Sequence, residues 1–334
     1  MRLFVFPGQG SQFVGMAKDW YQSFPEAKKT FDEASQATGL DLAKLCFGGG
    51  TEDDLNMTEL TQPAILTASV AIWRSLIVHS GIGLSLNQGA LFAGHSLGEY
   101  SALVCAGVLD LKEAVAVVRK RGQFMQKAMP PGKGGMVALL FKKGTPSPNE
   151  QARKVCEYVT KMSKAKIEVA NYNSLEQVVL SGDSKAIFML SSQRLPEDFG
   201  VRKVVRLQVS APFHSSFMKP AAKALLPHLK NLTIRPMKNL FYIPNVDPKW
   251  CDLTQAGEEV KTNLALQMYS PVKWTHTIKS AMSNSEFAVT QAYEIGPSSV
   301  LTSLCKKIEH CGEFLPCIPT SSLEEFKKAN DEKL

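Results

Sequence analysis

Residues 91–100, Leu-Phe-Ala-Gly-His-Ser-Leu-Gly-Glu-Tyr, constrain the fold more than any other stretch of this chain. A short apolar run leads into Gly94-His95-Ser96-Leu97-Gly98, and a helix-compatible segment follows over 99–108. Gly-x-Ser-x-Gly between a strand and a helix is the nucleophile-elbow pattern. The glycines let the backbone turn sharply without Cβ clashes, which lifts the serine hydroxyl above a sheet. A helix starting behind the serine aims free backbone N–H groups at whatever the hydroxyl attacks. The plain alternative for so short a match is a turn serine in a Gly-rich loop.

The segments before the elbow fit an α/β arrangement. Leu3-Phe4-Val5-Phe6 reads as a strand and ends in the Gly-rich turn Pro7-Gly8-Gln9-Gly10-Ser11-Gln12. That turn is either a tight connection or a loop whose N–H groups approach an active site, as loops after a first strand often do. A helix is expected over 24–38, a loop at Gly48-Gly49-Gly50, and a buried helix over 64–79 with Pro63 in its first turn. Beyond the elbow, Leu111, Ala114, Val118, Arg121, Met125 and Ala128 form one helical stripe. Arg121 thus sits on an apolar face, where a guanidinium needs an anion or a core salt bridge unless it snorkels out. Gly122 beside it permits close backbone approach.

Pro130-Pro131-Gly132-Lys133-Gly134-Gly135 is a hinge-like composition. After it the pattern becomes strand 136–141, helix 149–162, strands 166–171 and 177–182, helix 184–195 and strand 202–209. That βαββαβ order is a ferredoxin-like unit inserted into a larger domain. The expected division is therefore 1–131 with 210–320 as the large domain, 132–209 as the insertion, and 321–334 as a solvated Glu/Lys-rich tail. Returning from the insertion, the chain passes through Ala211-Pro212-Phe213-His214-Ser215 into a helix over 218–229. A histidine just ahead of a helix N-terminus is disfavoured as imidazolium, so His214 is read either as a neutral base or as a structural residue. Helices over 261–268, 274–283 and 300–308 and a strand over 292–295 complete the pattern.

Charge and cysteine content exclude several classes. The net charge is +7, from 38 basic and 31 acidic residues, and the basic pairs (Lys142-Lys143, Arg202-Lys203, Lys306-Lys307, Lys327-Lys328) are scattered. That suits phosphate-bearing or acidic partners, but no basic-aromatic repeat points to nucleic acid. Seven cysteines without a C-x-x-C pair, three of them spaced evenly at 305, 311 and 317, read as buried free thiols rather than a metal site, in a reducing compartment. No apolar run approaches the roughly 18 residues of a membrane span. Because the first residues already read as a strand, no signal or transit peptide is expected on this sequence.

Four motifs, in order, resemble one family. Pro7-Gly8-Gln9-Gly10-Ser11-Gln12, Gly94-His95-Ser96-Leu97-Gly98-Glu99-Tyr100, Arg121-Gly122 and Ala211-Pro212-Phe213-His214-Ser215 are similar to those of malonyl-CoA:acyl carrier protein transacylases. Tyr269-Ser270-Pro271-Val272-Lys273-Trp274 and Glu294-Ile295-Gly296-Pro297 resemble the family's C-terminal signatures. The likeness spans about residues 2–310 and is nearest the mitochondrial member of dissociated fatty-acid synthesis. It implies an α/β-hydrolase-like large domain with a parallel sheet around the inserted unit, and a location in the mitochondrial matrix, with the cytoplasm as the alternative.

By the same resemblance, Ser96 is the nucleophile and His214 its base, Gln9 and Leu97 give oxyanion N–H groups, and Arg121 holds a malonyl carboxylate. Gln62, His95 and Asn171 match positions near the acyl pocket, and Phe213 matches a malonyl-selective variant whose bulk crowds an α-methyl group. The histidine is oriented by a backbone carbonyl, for which Gln267 is the matching residue. The implied substrates and partners are malonyl-CoA and a phosphopantetheinylated acyl carrier protein, with no resident cofactor. The rivals are a serine esterase or thioesterase, whose triad would need an acid between Ser96 and His214 (Asp183 or Asp198 are the candidates), and a non-catalytic binding subunit.

Overall fold

The first strand serves two cores at once. In the computed structural model, which describes residues 1–330 except 50, 87, 88, 131, 210 and 285, β1 (Arg2–Phe6) points Phe4 and Phe6 to one side and Leu3 and Val5 to the other, all fully buried. A strand covered on both faces reads as an unbroken apolar run, which is how this one appears in the sequence. The other strands are β2 (Ala90–Gly94), β3 (Gly134–Phe141), β4 (Ile167–Ser174), β5 (Gln177–Asp183), β6 (Val201–Arg206), β7 (Leu240–Ile243), β8 (Cys251–Asp252), β9 (Gln291–Glu294), β10 (Glu309–His310), β11 (Glu313–Phe314) and β12 (Cys317–Pro319).

The larger sheet runs β12-β9-β1-β2-β7-β8. All neighbours in it are parallel except β8, which pairs antiparallel with β7. Phe4 lies opposite Phe92 on one side and Tyr293 on the other. On the face of Phe4, the long helix Thr58–His79 packs in, its Trp73 ring edge-on to Phe4 at 4.8 Å. On the opposite face, Trp274 and Ile278 of the helix Trp274–Met282 close over Leu3, Val5, Leu91 and Ala93.

The second sheet, β4-β5-β3-β6, is antiparallel throughout. Its helices Pro148–Ser163 and Ser184–Ser192 cover Val137, Leu139 and Phe141, while Met136 and Ala138, on the other face of β3, join the core of the larger unit. The two sheets therefore share a wall, and the functional cleft lies along it. The strands and helices expected over 136–209 appear in order within two or three residues of their expected bounds.

Three expectations need correction. The long helix starts at Thr58, so Pro63 lies inside it and not in its opening turn; hydrogen bonds from the Thr61 hydroxyl to the Leu55 and Met57 carbonyls hold that early turn together. The tail is no solvated end: Leu323–Asn330 is a helix whose Phe326 is fully buried against Trp20, and the Leu323 N–H donates to Asp19 at 2.8 Å. The thiols are all free, but Cys311 is exposed and Cys251 and Cys317 are only half-buried. Short β12, at the sheet edge, carries no alternation long enough to read. Residues 50, 131, 210 and 331–334, named in the expected loop, hinge, boundary and tail, lie outside the described residues.

Candidate active site

The elbow forms because two positions admit no side chain. A Cβ at Gly94 would stand 2.0 Å from the Gly98 carbonyl carbon, and one at Gly98 would stand 1.9 Å from the Phe6 carbonyl oxygen. Gly8 of the first loop is equally tight, 2.4 Å from the His95 carbonyl oxygen. These contacts bring the loop after β1 against the turn after β2. Ser96 between them has φ +54°, a left-handed conformation that costs a non-glycine residue about 1–3 kcal/mol and needs support from its surroundings. Asn245, just past β7, supplies it: its Oδ1 accepts the Ser96 N–H at 2.7 Å, and its Nδ2 donates to the Gly94 carbonyl at 2.5 Å. The helix Gly98–Cys105 begins immediately behind.

His214 Nε2 lies 2.7 Å from Ser96 Oγ. Its Nδ1 lies 2.7 Å from the Gln267 carbonyl oxygen, which fixes the tautomer with Nδ1 protonated and the Nε2 lone pair facing the serine. The imidazole is held neutral, as expected for a base: burial first and the Arg121 cation second hold His214 down to about 3. The hydrolase triad fails here. Asp183 caps the helix Ser184–Ser192 by accepting the Lys185 N–H, Asp198 sits in the short turn Glu197–Phe199, and a backbone carbonyl occupies the acid's place.

Arg121 is 1% exposed on the helix Leu111–Lys127, whose buried stripe runs as expected from Leu111 to Met125, while Ala128 falls just past the helix end and is half-buried. Gly122 lets the two long helices touch, since a Cβ there would lie 2.7 Å from Glu59 Cα. The guanidinium donates to Gln62 Oε1 at 2.7 Å, Gln267 Oε1 at 2.8 Å and Ser96 Oγ at 3.1 Å, and stands over the Tyr100 ring at 5.8 Å. Among the described residues no carboxylate forms a salt bridge with it, so the core ion pair allowed for by the sequence is absent. A buried cation held by neutral amides is prepared to exchange them for a carboxylate.

These groups open into one cavity of about 340 Å³. Gln9, Gln62, His95, Ser96, Leu97, Arg121, Asn171, Phe213 and His214 all line it; Gln267 lies behind them, fully buried. Among the described residues, the Gln9 and Leu97 N–H groups donate to no acceptor in the protein. Asn171 contributes wall, whereas Asn173 two residues on holds the His95 ring, with Oδ1 at 2.9 Å from Nε2. Burial keeps His95 below the ordinary histidine range. No local motif marks Asn173 or Asn245, which reach the elbow from 78 and 149 residues away.

The family model for the acyl transferase domain matches residues 3–311. The malonyl CoA-acyl carrier protein transacylase of Bacillus subtilis (strain 168) is 39% identical over 91% of this chain and 89% of its own length. That of Escherichia coli (strain K12) is 40% identical over 91% and 92%. Among solved structures, an acyl carrier protein S-malonyltransferase from Vibrio cholerae is 38% identical, with a TM-score of 0.84 over 98% of this chain and 99% of that one. A malonyl-transacylase in complex with its type II PKS acyl-carrier protein is 36% identical, with a TM-score of 0.84 over 99% of both.

Proposed function

This chain belongs to the acyl transferase domain family and, within it, to the malonyl CoA-acyl carrier protein transacylases, and on that premise we propose how its cleft performs the transfer. The enzyme moves a malonyl group from coenzyme A to the phosphopantetheine thiol of an acyl carrier protein. Ser96 Oγ gives its proton to His214 Nε2 and attacks the thioester carbonyl. The oxyanion is received by the Gln9 and Leu97 N–H groups, each such donor being worth on the order of 100- to 1,000-fold in rate. The C–S bond breaks, and the CoA sulfur leaves with the proton held on His214, completing the malonyl ester on Ser96. The carrier thiol then gives its proton to His214, attacks the ester, and returns the hydroxyl to Ser96.

Arg121 pairs with the free carboxylate of the malonyl group, trading the Gln62 and Gln267 amides for an anion. That pairing also neutralises the cation that depresses His214, so a carboxylated substrate strengthens its own base. Phe213 narrows the cavity beside the α-carbon, a contact worth about 1–3 kcal/mol against an α-methyl group. We also read the six-stranded unit as α/β-hydrolase-like and the small unit as ferredoxin-like; the βαββαβ chain order with sheet order β4-β5-β3-β6 supports the latter.

The observation that carries this reading is the convergence on Ser96 Oγ of His214 Nε2 at 2.7 Å and Arg121 at 3.1 Å. Intact-mass measurement after malonyl-CoA exposure tests it: the wild type gains one malonyl group and Ser96→Ala none. Malonyl-CoA breakdown that proceeds equally without the carrier would replace the transferase reading with a hydrolase.

A further inference from the structure

Glu99 is a buried carboxylate that the transfer chemistry leaves unused. It is fully buried in the first turn of the helix behind the elbow. Its Oε1 accepts the Tyr242 hydroxyl, and its Oε2 takes the Gln267 Nε2–H at 3.3 Å and the Asn245 N–H at 3.4 Å. The same Gln267 amide accepts from Arg121 through Oε1 and donates to the Ser96 carbonyl at 3.0 Å. One side-chain amide thus links the buried anion to the buried cation and ties both to the serine turn. Burial raises Glu99 to about 7, with the Tyr242, Asn245 and Gln267 hydrogen bonds and the Arg121 charge working in the other direction.

We propose that Glu99 is the resting counter-charge of Arg121, and that it takes up a proton from solvent when a substrate carboxylate pairs with Arg121, making malonyl loading proton-linked where acetyl loading is not. The inference rests on Arg121 holding the malonyl carboxylate. Once it does, two carboxylates surround a single buried cation, and one of them must become neutral. The malonyl group has direct, bidentate contact with the guanidinium and stays ionised. Glu99 reaches the cation only through an amide, so the proton goes to Glu99. Tyr242, which donates to it at rest, accepts from the protonated form, since a hydroxyl can do either.

The other titratable groups around Glu99 do not compete at neutral pH. Tyr242 on β7 and Tyr100 beside it are held neutral by burial, Cys251 on β8 is raised to about 11, and His214 lies far below. Glu99 acts as a positioning residue: its charge state sets how firmly Gln267 is held, and Gln267 in turn orients Arg121 and the Ser96 carbonyl.

Calorimetric titration of Ser96→Ala protein, which cannot be acylated, tests the coupling at pH 8. Repeating it in buffers of different ionisation heat counts protons, and acetyl-CoA cancels the shared nucleotide part. The expected result is up to about one proton taken up with malonyl-CoA and about none with acetyl-CoA. Ser96→Ala/Glu99→Gln then binds malonyl-CoA without uptake. A protonated-carboxyl band in the infrared difference spectrum of the single variant gives the same answer should the double variant fold poorly. Malonyl-CoA binding without uptake overturns this inference alone, as does uptake that survives in the double variant, which would assign the proton to His214. Absence of malonyl-CoA binding overturns the carboxylate role of Arg121 and this inference with it.

Discussion

Glu99 and Glu294 are the same residue type, equally buried, and both raised to about 7 by burial, yet their surroundings differ. Glu294, at the end of β9, places its oxygens on the Leu301 N–H at 2.9 Å, the Thr302 N–H at 2.6 Å and the Thr302 hydroxyl at 2.7 Å. Those partners lie seven and eight residues along the chain, at the start of the helix Val300–Cys305. Glu99 draws its partners from residues more than 140 positions away, and one of them touches the guanidinium facing Ser96. Depth and shift alone therefore do not mark a functional carboxyl. What marks it is whether its partners lead to the reacting atoms or close on themselves.

The contrast between the two carboxyls is most exposed to test at Arg121. Arg121→Ala should cut kcat/KM for malonyl transfer by about 100-fold or more while acetyl transfer changes far less, because only the carboxylated substrate loses a buried charge partner. Equal losses would remove the link between Glu99 and substrate charge. At the other carboxyl, Glu294→Ala should cost about 2–3 kcal/mol of stability by stranding two buried N–H groups, read as a lower midpoint in urea, with the malonyl-to-acetyl ratio unchanged.

The smallest effects are in pH dependence. A carboxyl held near 7 when folded and 4.5 when unfolded keeps a proton that the unfolded chain releases. Its contribution is full below 4.5 and is lost as pH rises toward 7. Glu294→Gln should flatten that decline in a series of thermal midpoints. His214 works in the opposite sense: held to about 3 against 6.5, its neutral form contributes stability above 6.5 that is lost as pH falls toward 3. Because the free enzyme already carries His214 neutral, kcat/KM for acetyl transfer by Glu99→Gln, where the carboxyl near 7 no longer titrates, should show no acid limb near 6.5. A limb there would mean that the imidazole is wetter than its buried position allows.

Features that depend on neighbours along the chain are legible in the order of residues. Glycines at 94 and 98 around Ser96 dictate the turn, short apolar runs within 136–141 and 177–182 mark strands of the small sheet, and the spacing of Leu111, Val118, Arg121 and Met125 puts a cation on a buried face. The resemblance then assigned roles to Ser96, His214 and Arg121, and the fold brings those three side chains together. Tertiary structure alone decided the rest: that Asn245 pins the elbow, that Asn173 rather than Asn171 holds His95, that the final helix docks on Trp20, and that Glu99 stands behind Gln267. Polar side chains such as these have no periodicity of their own, and their meaning comes from partners that only the packing of distant segments brings within about 3 Å.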